Sequence, residues 1–277
     1  MNYREHPVPA GLRRHLRCVW RLRDPRPAGA SQTIYPDGHC ELIVHLKAPP
    51  RCWDARNGWH QQAATLFAAQ RVTAVRLEVT RPLDCVGLRL TPAASNLLSA
   101  RGLQESRDRV VDLAGVDRAF SNSLRAAVRA FAGGDDARLW RFMERRVDSA
   151  TLDERIETAV ERFIATAGKA RIDATASSAG MSMRGFQIRF RQCVGLTPKE
   201  FARLMRLQAT LRALDGSDTR ISELAADTGF ADQAHATREL RRTTGLTPAR
   251  LRAELRRDRD GDVAVRLAAA FVRGYSD

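Results

Sequence analysis

The sequence contains no apolar run long enough to cross a bilayer. Its longest such stretches, Leu42–Leu46 and Leu267–Val272, fall far short of the ~20 residues a spanning helix needs, so no membrane partner is expected. Met1–Arg14 carries charges and prolines without the apolar segment of a secretory leader. Cysteine is sparse: Cys18, Cys40, Cys52, Cys85 and Cys193 are odd in number and scattered, with no C-x-x-C pair. That argues against a disulfide framework and a zinc knuckle and fits a reducing cytoplasm. No G-x-S-x-G, H-E-x-x-H or phosphate-loop motif occurs. The sequence therefore predicts no catalytic residue, no metal and no cofactor. Lysine is nearly missing, with only Lys47, Lys169 and Lys199.

What remains is basic through arginine. The 277 residues carry a formal net charge of +14, at 44% hydrophobic and 28% charged content. This is an ordinary globular composition, of a length that suits about two domains. Arginine presents a planar fork suited to phosphate and to guanine edges. An arginine and alanine bias also follows from GC-rich coding alone, so the charge points to nucleic acid without establishing it.

The pattern changes along the chain. In the first part, Val75, Leu77 and Val79 alternate with Arg76 and Glu78, and Val86, Leu88 and Leu90 with Gly87 and Arg89. Thr33–Tyr35 leads through the turn Pro36-Asp37-Gly38 into the run Cys40–Leu46. Period two predicts half-buried antiparallel strands in a barrel or jelly-roll-like sandwich. Thr91-Pro92 then predicts a helix start, with Thr91 as N-cap. From Val116 the period becomes helical: Phe120, Leu124, Val128 and Phe131 share one face, Gly133-Gly134 interrupts, and Leu139, Phe142, Met143 and Val147 resume it. This pair could serve as a linker or dimer seam, or pack on its own domain. Ile156, Ala159, Val160, Phe163 and Ile164 open an all-helical remainder, in which Leu204, Leu207, Leu211 and Leu214 line a longer helix.

That remainder contains a repeat. Phe190-Arg191-Gln192-Cys193-Val194-Gly195-Leu196-Thr197-Pro198 matches Leu240-Arg241-Arg242-Thr243-Thr244-Gly245-Leu246-Thr247-Pro248 at an offset of 50 residues, counted from the two glycines. Upstream, Ala179-Gly180-Met181 matches Thr228-Gly229-Phe230. Each copy has a short amphipathic helix, a glycine turn, a polar cap (Ser182 or Asp232) and a second helix ending at Gly195 or Gly245. Thr197-Pro198-Lys199-Glu200 then spells an N-cap, a first-position proline and a capping-box glutamate. Helix, glycine turn, helix is the helix-turn-helix pattern. The outward face of the second helix offers Met183, Arg184, Gln187 and Arg191 in copy one. In copy two it offers Gln233, Ala234, Thr237, Arg238 and Arg241. Arginine can fork to guanine, glutamine to adenine, and threonine or alanine can touch a thymine methyl.

The segment from Ile221 to Pro248, with its weaker first copy, resembles the AraC/XylS family of bacterial transcription regulators. The resemblance covers roughly residues 150–256 and implies two helix-turn-helix units joined by one long helix, about Pro198–Leu214. It implies base contacts from Arg184, Gln187, Gln233, Ala234, Thr237 and Arg238. Phosphate contacts are implied from Arg191, Arg241, Arg242 and the amino ends of the first helices, beside the cap Ser182. The chain departs from the family at Ile188, where an arginine is usual, at Ala236, where a large apolar residue is usual, and at Leu240, where phenylalanine is usual. The stretch from Tyr35 to Leu46 resembles the cupin-like N-terminal domains of some AraC-type regulators, which implies a sensory or dimerising role.

The expectation is an α+β chain of two domains. Residues 1–115 would form a β-rich, cupin-like or jelly-roll-like domain and 116–149 a helical linker. Residues 150–256 would form the all-α tandem reader of double-stranded DNA, and 257–277 a tail that docks as a helix. The resemblance leaves a small-molecule effector, a homodimer and RNA polymerase as further partners. Residues 1–149 hold 24 basic and 15 acidic side chains and residues 150–256 hold 18 and 13, so the reader is not the more basic part. Two other clusters stay open in both directions. His39, Cys40, Glu41, His45, Cys52 and His60 could sense a metal or thiol, as in a cupin-type metal enzyme with a helical appendage, or be unconnected core and turn residues. Trp20, Trp53 and Trp59 could line an effector pocket or be ordinary packing aromatics.

Overall fold

A computed structural model describes residues 2–25, 30–54, 58–79, 81–98, 108–148, 152–216 and 219–260. The alternation seen in the first part of the chain becomes two antiparallel sheets. The strands are β1 (Asn2–His6), β2 (Leu16–Asp24), β3 (Ala30–Ile34), β4 (Glu41–His45), β5 (Arg51–Asp54), β6 (Gly58–Gln61), β7 (Thr65–Ala68), β8 (Val75–Val79), β9 (Leu83–Leu90) and β10 (Val110–Asp112). One sheet runs β1-β2-β9-β4-β7-β10 and the other β3-β8-β5-β6. Gly38, at φ 83°, makes the turn before β4.

Register sorts the six-stranded sheet into two faces. Leu42 pairs with Leu88 and Val44 with Val86, and these four share a core with Phe67. The opposite face carries Cys18, Trp20, Leu22 and Cys85. Gly87 lies across from Trp20, and a Cβ there would fall 2.1 Å from the indole ring, so only glycine leaves Trp20 its place. The indole Nε1 donates to Glu41 Oε1 at 2.9 Å, and Arg89 Nε donates to the same oxygen at 2.9 Å. Burial works against the charge of Arg89, but Glu41 and Asp37 beside it raise its pKa above the ordinary value.

The helical pair α2 (Arg118–Ala132) and α3 (Asp136–Val147) follows the single turn α1 (Leu113–Val116). Asp117 and Asp135 cap them, accepting from the amides of Phe120 and Arg138. Their stripe of Leu124, Val128, Phe131, Leu139, Met143 and Val147 is buried on the first face of the six-stranded sheet. Thr91 does not cap an α-helix. A 3-10 helix spans Pro92–Leu98, and the Thr91 hydroxyl donates to the Arg14 carbonyl at 2.7 Å. The partner of that hydroxyl is a distant carbonyl, a long-range contact that local propensity cannot register.

The remaining helices are α4 (Glu154–Ala165), α5 (Ile172–Ser178), α6 (Met183–Val194), α7 (Pro198–Gly216), α8 (Ile221–Asp227), α9 (Gln233–Thr244) and α10 (Pro248–Asp260). The tail from residue 261 onward lies outside the described residues. No helix among the described residues is long and apolar enough to cross a membrane. The core of this half is aromatic: Phe190 lies 5.8 Å from Phe163, 5.8 Å from Phe201 and 5.6 Å from Phe186 between ring centroids. Tyr35 joins the same core, with Val72 and Ala74 packed against it, so the β-rich half contributes to it directly. Gln208 of α7 donates to the Pro36 carbonyl at 2.7 Å, and the Ala74 amide donates to the Thr243 carbonyl of α9 at 2.9 Å.

Phe190 is fully buried, so Phe190→Ala should cost about 3–5 kcal/mol of unfolding free energy in urea denaturation of the full chain. Ile188→Ala, on the exposed side of the same helix, should stay within ~0.5 kcal/mol of wild type.

Candidate nucleic-acid interface

Each unit is assembled by the same local devices. The α5–α6 turn passes through Gly180 at φ 65° and the α8–α9 turn through Gly229 at φ 81°, the left-handed region in which a side chain is strained. Ser182 Oγ accepts from the Gly185 amide at 3.2 Å and Asp232 Oδ1 from the His235 amide at 2.6 Å, so both polar residues cap their second helix. Gly195 and Gly245, at φ 84° and 78°, close α6 and α9, their amides donating to Arg191 and Arg241. The capping box opens α7: the Thr197 amide donates to Glu200 Oε2 at 2.9 Å, and the Glu200 amide to Thr197 Oγ1 at 3.3 Å. In the second copy Arg250 takes the glutamate's place and only the Thr247 hydroxyl is left to accept.

The caps set where the second helices begin, and the core sets how they are rotated. Phe186, Phe190, Cys193 and Val194 are buried on α6, which leaves Arg184, Gln187 and Arg191 exposed. Ala236, Leu240 and Thr244 are buried on α9, which leaves Gln233, Ala234, Arg238, Arg241 and Arg242 exposed. Thr237 is half-buried and its hydroxyl donates to the Gln233 carbonyl at 2.8 Å. Arg242 Nη2 lies 3.2 Å from Glu239, whose carboxylate also meets Arg203 of α7 at 3.3 Å. The first helices α5 and α8 are preceded by Arg171 and Arg220, neither of which supplies a side-chain cap. Asp173 Oδ1 accepts from the Ala174 amide at 2.7 Å, so one of the amino-end donors of α5 is already engaged.

Two positioning contacts carry no motif. Asp153 caps α4 and its carboxylate receives both Arg155 and, at 2.8 Å, Arg189 of α6. Arg189 is thereby turned toward α4, away from the exposed pole of its helix. His235 Nδ1 accepts from the Ala231 amide at 3.4 Å while its ring meets Phe230 edge-on, fixing the loop before α9. An Asp before a helix is a visible cap signal; its long-range arginine partner has no signature in sequence spacing.

The two open clusters separate. His39 stands by Asp37, Cys40 by Ser95, Glu41 by Trp20 and Arg89, His45 by Gln62, and Cys52 by His60. Among the described residues, no three histidine, cysteine, aspartate or glutamate side chains are grouped as a metal site. Trp20 is buried, whereas its supposed companions sit on the other sheet, Trp53 at 41% exposure and Trp59 against Arg51 and Arg76. The three do not converge on one pocket.

Hydrogen bonds from Arg155 and Arg189 hold the Asp153 carboxyl down to about 2. A depressed carboxyl pKa stabilises the fold above the unfolded value, near 4, and that contribution is lost as pH falls from about 4 toward 2. Asp153→Asn should therefore flatten the acid limb of a stability-against-pH curve over that window, measured by urea midpoints at stepped pH.

Residues 175–254 match the helix-turn-helix domain family, and residues 4–112 match a domain family of unknown function. The chain is 31% identical over 91 residues to the HTH-type transcriptional activator RhaS of Escherichia fergusonii, covering 33% of this chain. It spans about a third, 31%, of that relative's length. Among solved structures, the DNA-binding domain of AdpA, crystallised with a target DNA, is 29% identical, covering 38% of this chain and 97% of that one, at a TM-score of 0.36. ToxT from Vibrio cholerae is 10% identical, covering 91% and 98%, at 0.46. The domain match falls on the two helix-turn-helix units built from α5–α6 and α8–α9.

Proposed function

We propose that the chain is a sequence-specific DNA-binding regulator of transcription, working in the cytoplasm by recognition rather than by catalysis. The observation that carries this is the matched pair of second helices. Both start at a polar cap, end at a left-handed glycine and turn an arginine-bearing face outward, while their apolar positions are used up in the core. A merely solvated helix needs no such duplication. In this reading Arg184, Gln187, Gln233, Ala234, Thr237 and Arg238 face base edges in successive major-groove segments. Arg191, Arg241 and Arg242, with the ends of α5 and α8 and the region of Ser182, face phosphates. Residues 150–256 act as the reader, residues 1–115 sense a small effector or hold a dimer, and 116–149 lie between them.

The coupling between halves supports the regulatory part. The β-rich half touches α7 through Pro36 and α9 through Ala74. A ligand that moved the 71–74 segment would thereby act on the second unit.

The test is selection of bound sequences from a random duplex pool at near-physiological salt, with wild type and Arg238→Ala in parallel. Wild type should enrich a two-block site. Arg238→Ala should lose one position of one block, at a cost of about 1–3 kcal/mol on the wild-type site. Salt-sensitive retention with no enriched sequence, with or without added small molecules, would sink the proposal.

A further inference from the structure

Four large apolar side chains stand exposed among the described residues, and two of them, Met183 and Ile188, lie on α6. Ile188 is 50% exposed. At about 100° of turn per residue, its position is diametrically opposite the middle of the buried set Phe186, Phe190 and Cys193. It is flanked by Arg184 one turn before it and Arg191 one turn after. A β-branched residue there adds nothing to the core and is a slightly poorer helix former than arginine. The folded chain alone supplies no reason for it.

The repeat supplies one. The offset of 50 residues that aligns the closing glycines places Ile188 opposite Arg238 and Arg184 opposite Ala234. The outermost position therefore carries an apolar side chain in one unit and a guanidinium in the other, and the position one turn earlier carries the reverse. Within each helix the two positions, four residues apart, are separated by about 6 Å along the axis, close to two base-pair rises of ~3.4 Å. Along the major groove, the most prominent apolar group a base presents is the thymine 5-methyl group. We propose that Ile188 is a specificity residue that packs on a thymine methyl, so that the first sub-site has thymine at the position where the second, through Arg238, has guanine. This rests on the DNA-reading function proposed above and adds the base class read by the first unit.

The experiment takes the duplex selected by the full-length wild type and replaces each thymidine in turn by deoxyuridine, which deletes the methyl and leaves the hydrogen-bonding edge unchanged. Binding is titrated with wild type, Ile188→Ala and Ile188→Val. One thymidine in the first sub-site should lose about fourfold in wild-type affinity on losing its methyl, the weight of one buried carbon. Ile188→Ala should abolish that dependence at that position and leave the second sub-site unaffected, and Ile188→Val should retain most of it. Ile188 is outside the core, so equal urea midpoints confirm that the variants are folded. If the site is enriched and bound but no thymine methyl is coupled to Ile188, the inference is overturned while the DNA-reading function stands. If wild type enriches no site, both are overturned.

Discussion

The contact on which the helical half depends is the aromatic knot of Phe163, Phe190 and Phe201. Its three rings come from α4, α6 and α7, and ring centroids 5.8–6.4 Å apart lock the helices at fixed rotations. The orientation of α6 is a by-product of that packing. With Phe186 and Phe190 committed inward, Arg184, Ile188 and Arg191 have nowhere to point but outward. The ion pair from Asp153 to Arg189 reinforces the same rotation from the rim. The outward face is set by subtraction: the residues exposed on it are those the core has not claimed.

The second unit is held differently. Where the first copy has Phe186 and Phe190, the second has Ala236 and Leu240, a pair with less volume to fill the same position. Val72 and Ala74 from the β-rich half pack against the shared core near α7 and α9, and the Ala74 amide engages the Thr243 carbonyl in the last turn of α9. The segment is itself ordered by Asp108, whose carboxylate accepts from the Val72 amide at 2.8 Å and from the Thr73 hydroxyl at 3.3 Å. Both units thus lean on the N-terminal half, the first where α4 and α6 pack against the 3-10 helix Pro92–Leu98 and the second through the 71–74 segment. Displacement of the 71–74 segment would act directly on the last turn of α9.

Much of the helical half was legible because its instructions are local. Glycines at helix ends, Ser182 and Asp232 as caps, and Thr197 with Glu200 act over three or four residues, and duplication states each nearly twice. The β-rich half was legible where alternation is clean, as at Val75–Val79 and in the second part of β9, and where the turn Pro36-Asp37-Gly38 introduces the run that becomes β4. Strand β2 was missed because Arg17, Arg21 and Arg23 interrupt its apolar residues, and Arg21 is drawn to Asp84 and the end of α2. Arg89 reads as a solvent-facing residue in an alternating strand, yet it is buried between Glu41 and Asp37. Its partners lie 48 and 52 positions upstream, a separation that local pattern cannot reach. Thr91, Arg189 and the Ala74–Thr243 contact escaped for the same reason.

The repeat also separates what folding requires from what recognition uses. Between the two copies the glycines, the polar caps and the inward pair Phe186 and Phe190 against Ala236 and Leu240 keep their chemical type, because each satisfies a backbone or packing constraint that any helix-turn-helix must meet, while Cys193 and Val194 give way to Thr243 and Thr244. The outward positions are not bound by that constraint, and there the copies diverge: Arg184 against Ala234, Gln187 against Thr237, Ile188 against Arg238. Arg191 and Arg241 are the outward pair that stays the same, and phosphate binding is the one demand two sub-sites of different sequence would share. Two units that bound only the backbone would have no cause to exchange an arginine for an isoleucine at the most exposed point of the helix. A change of chemical type at the most exposed positions is what a pair of readers of unlike sub-sites would show.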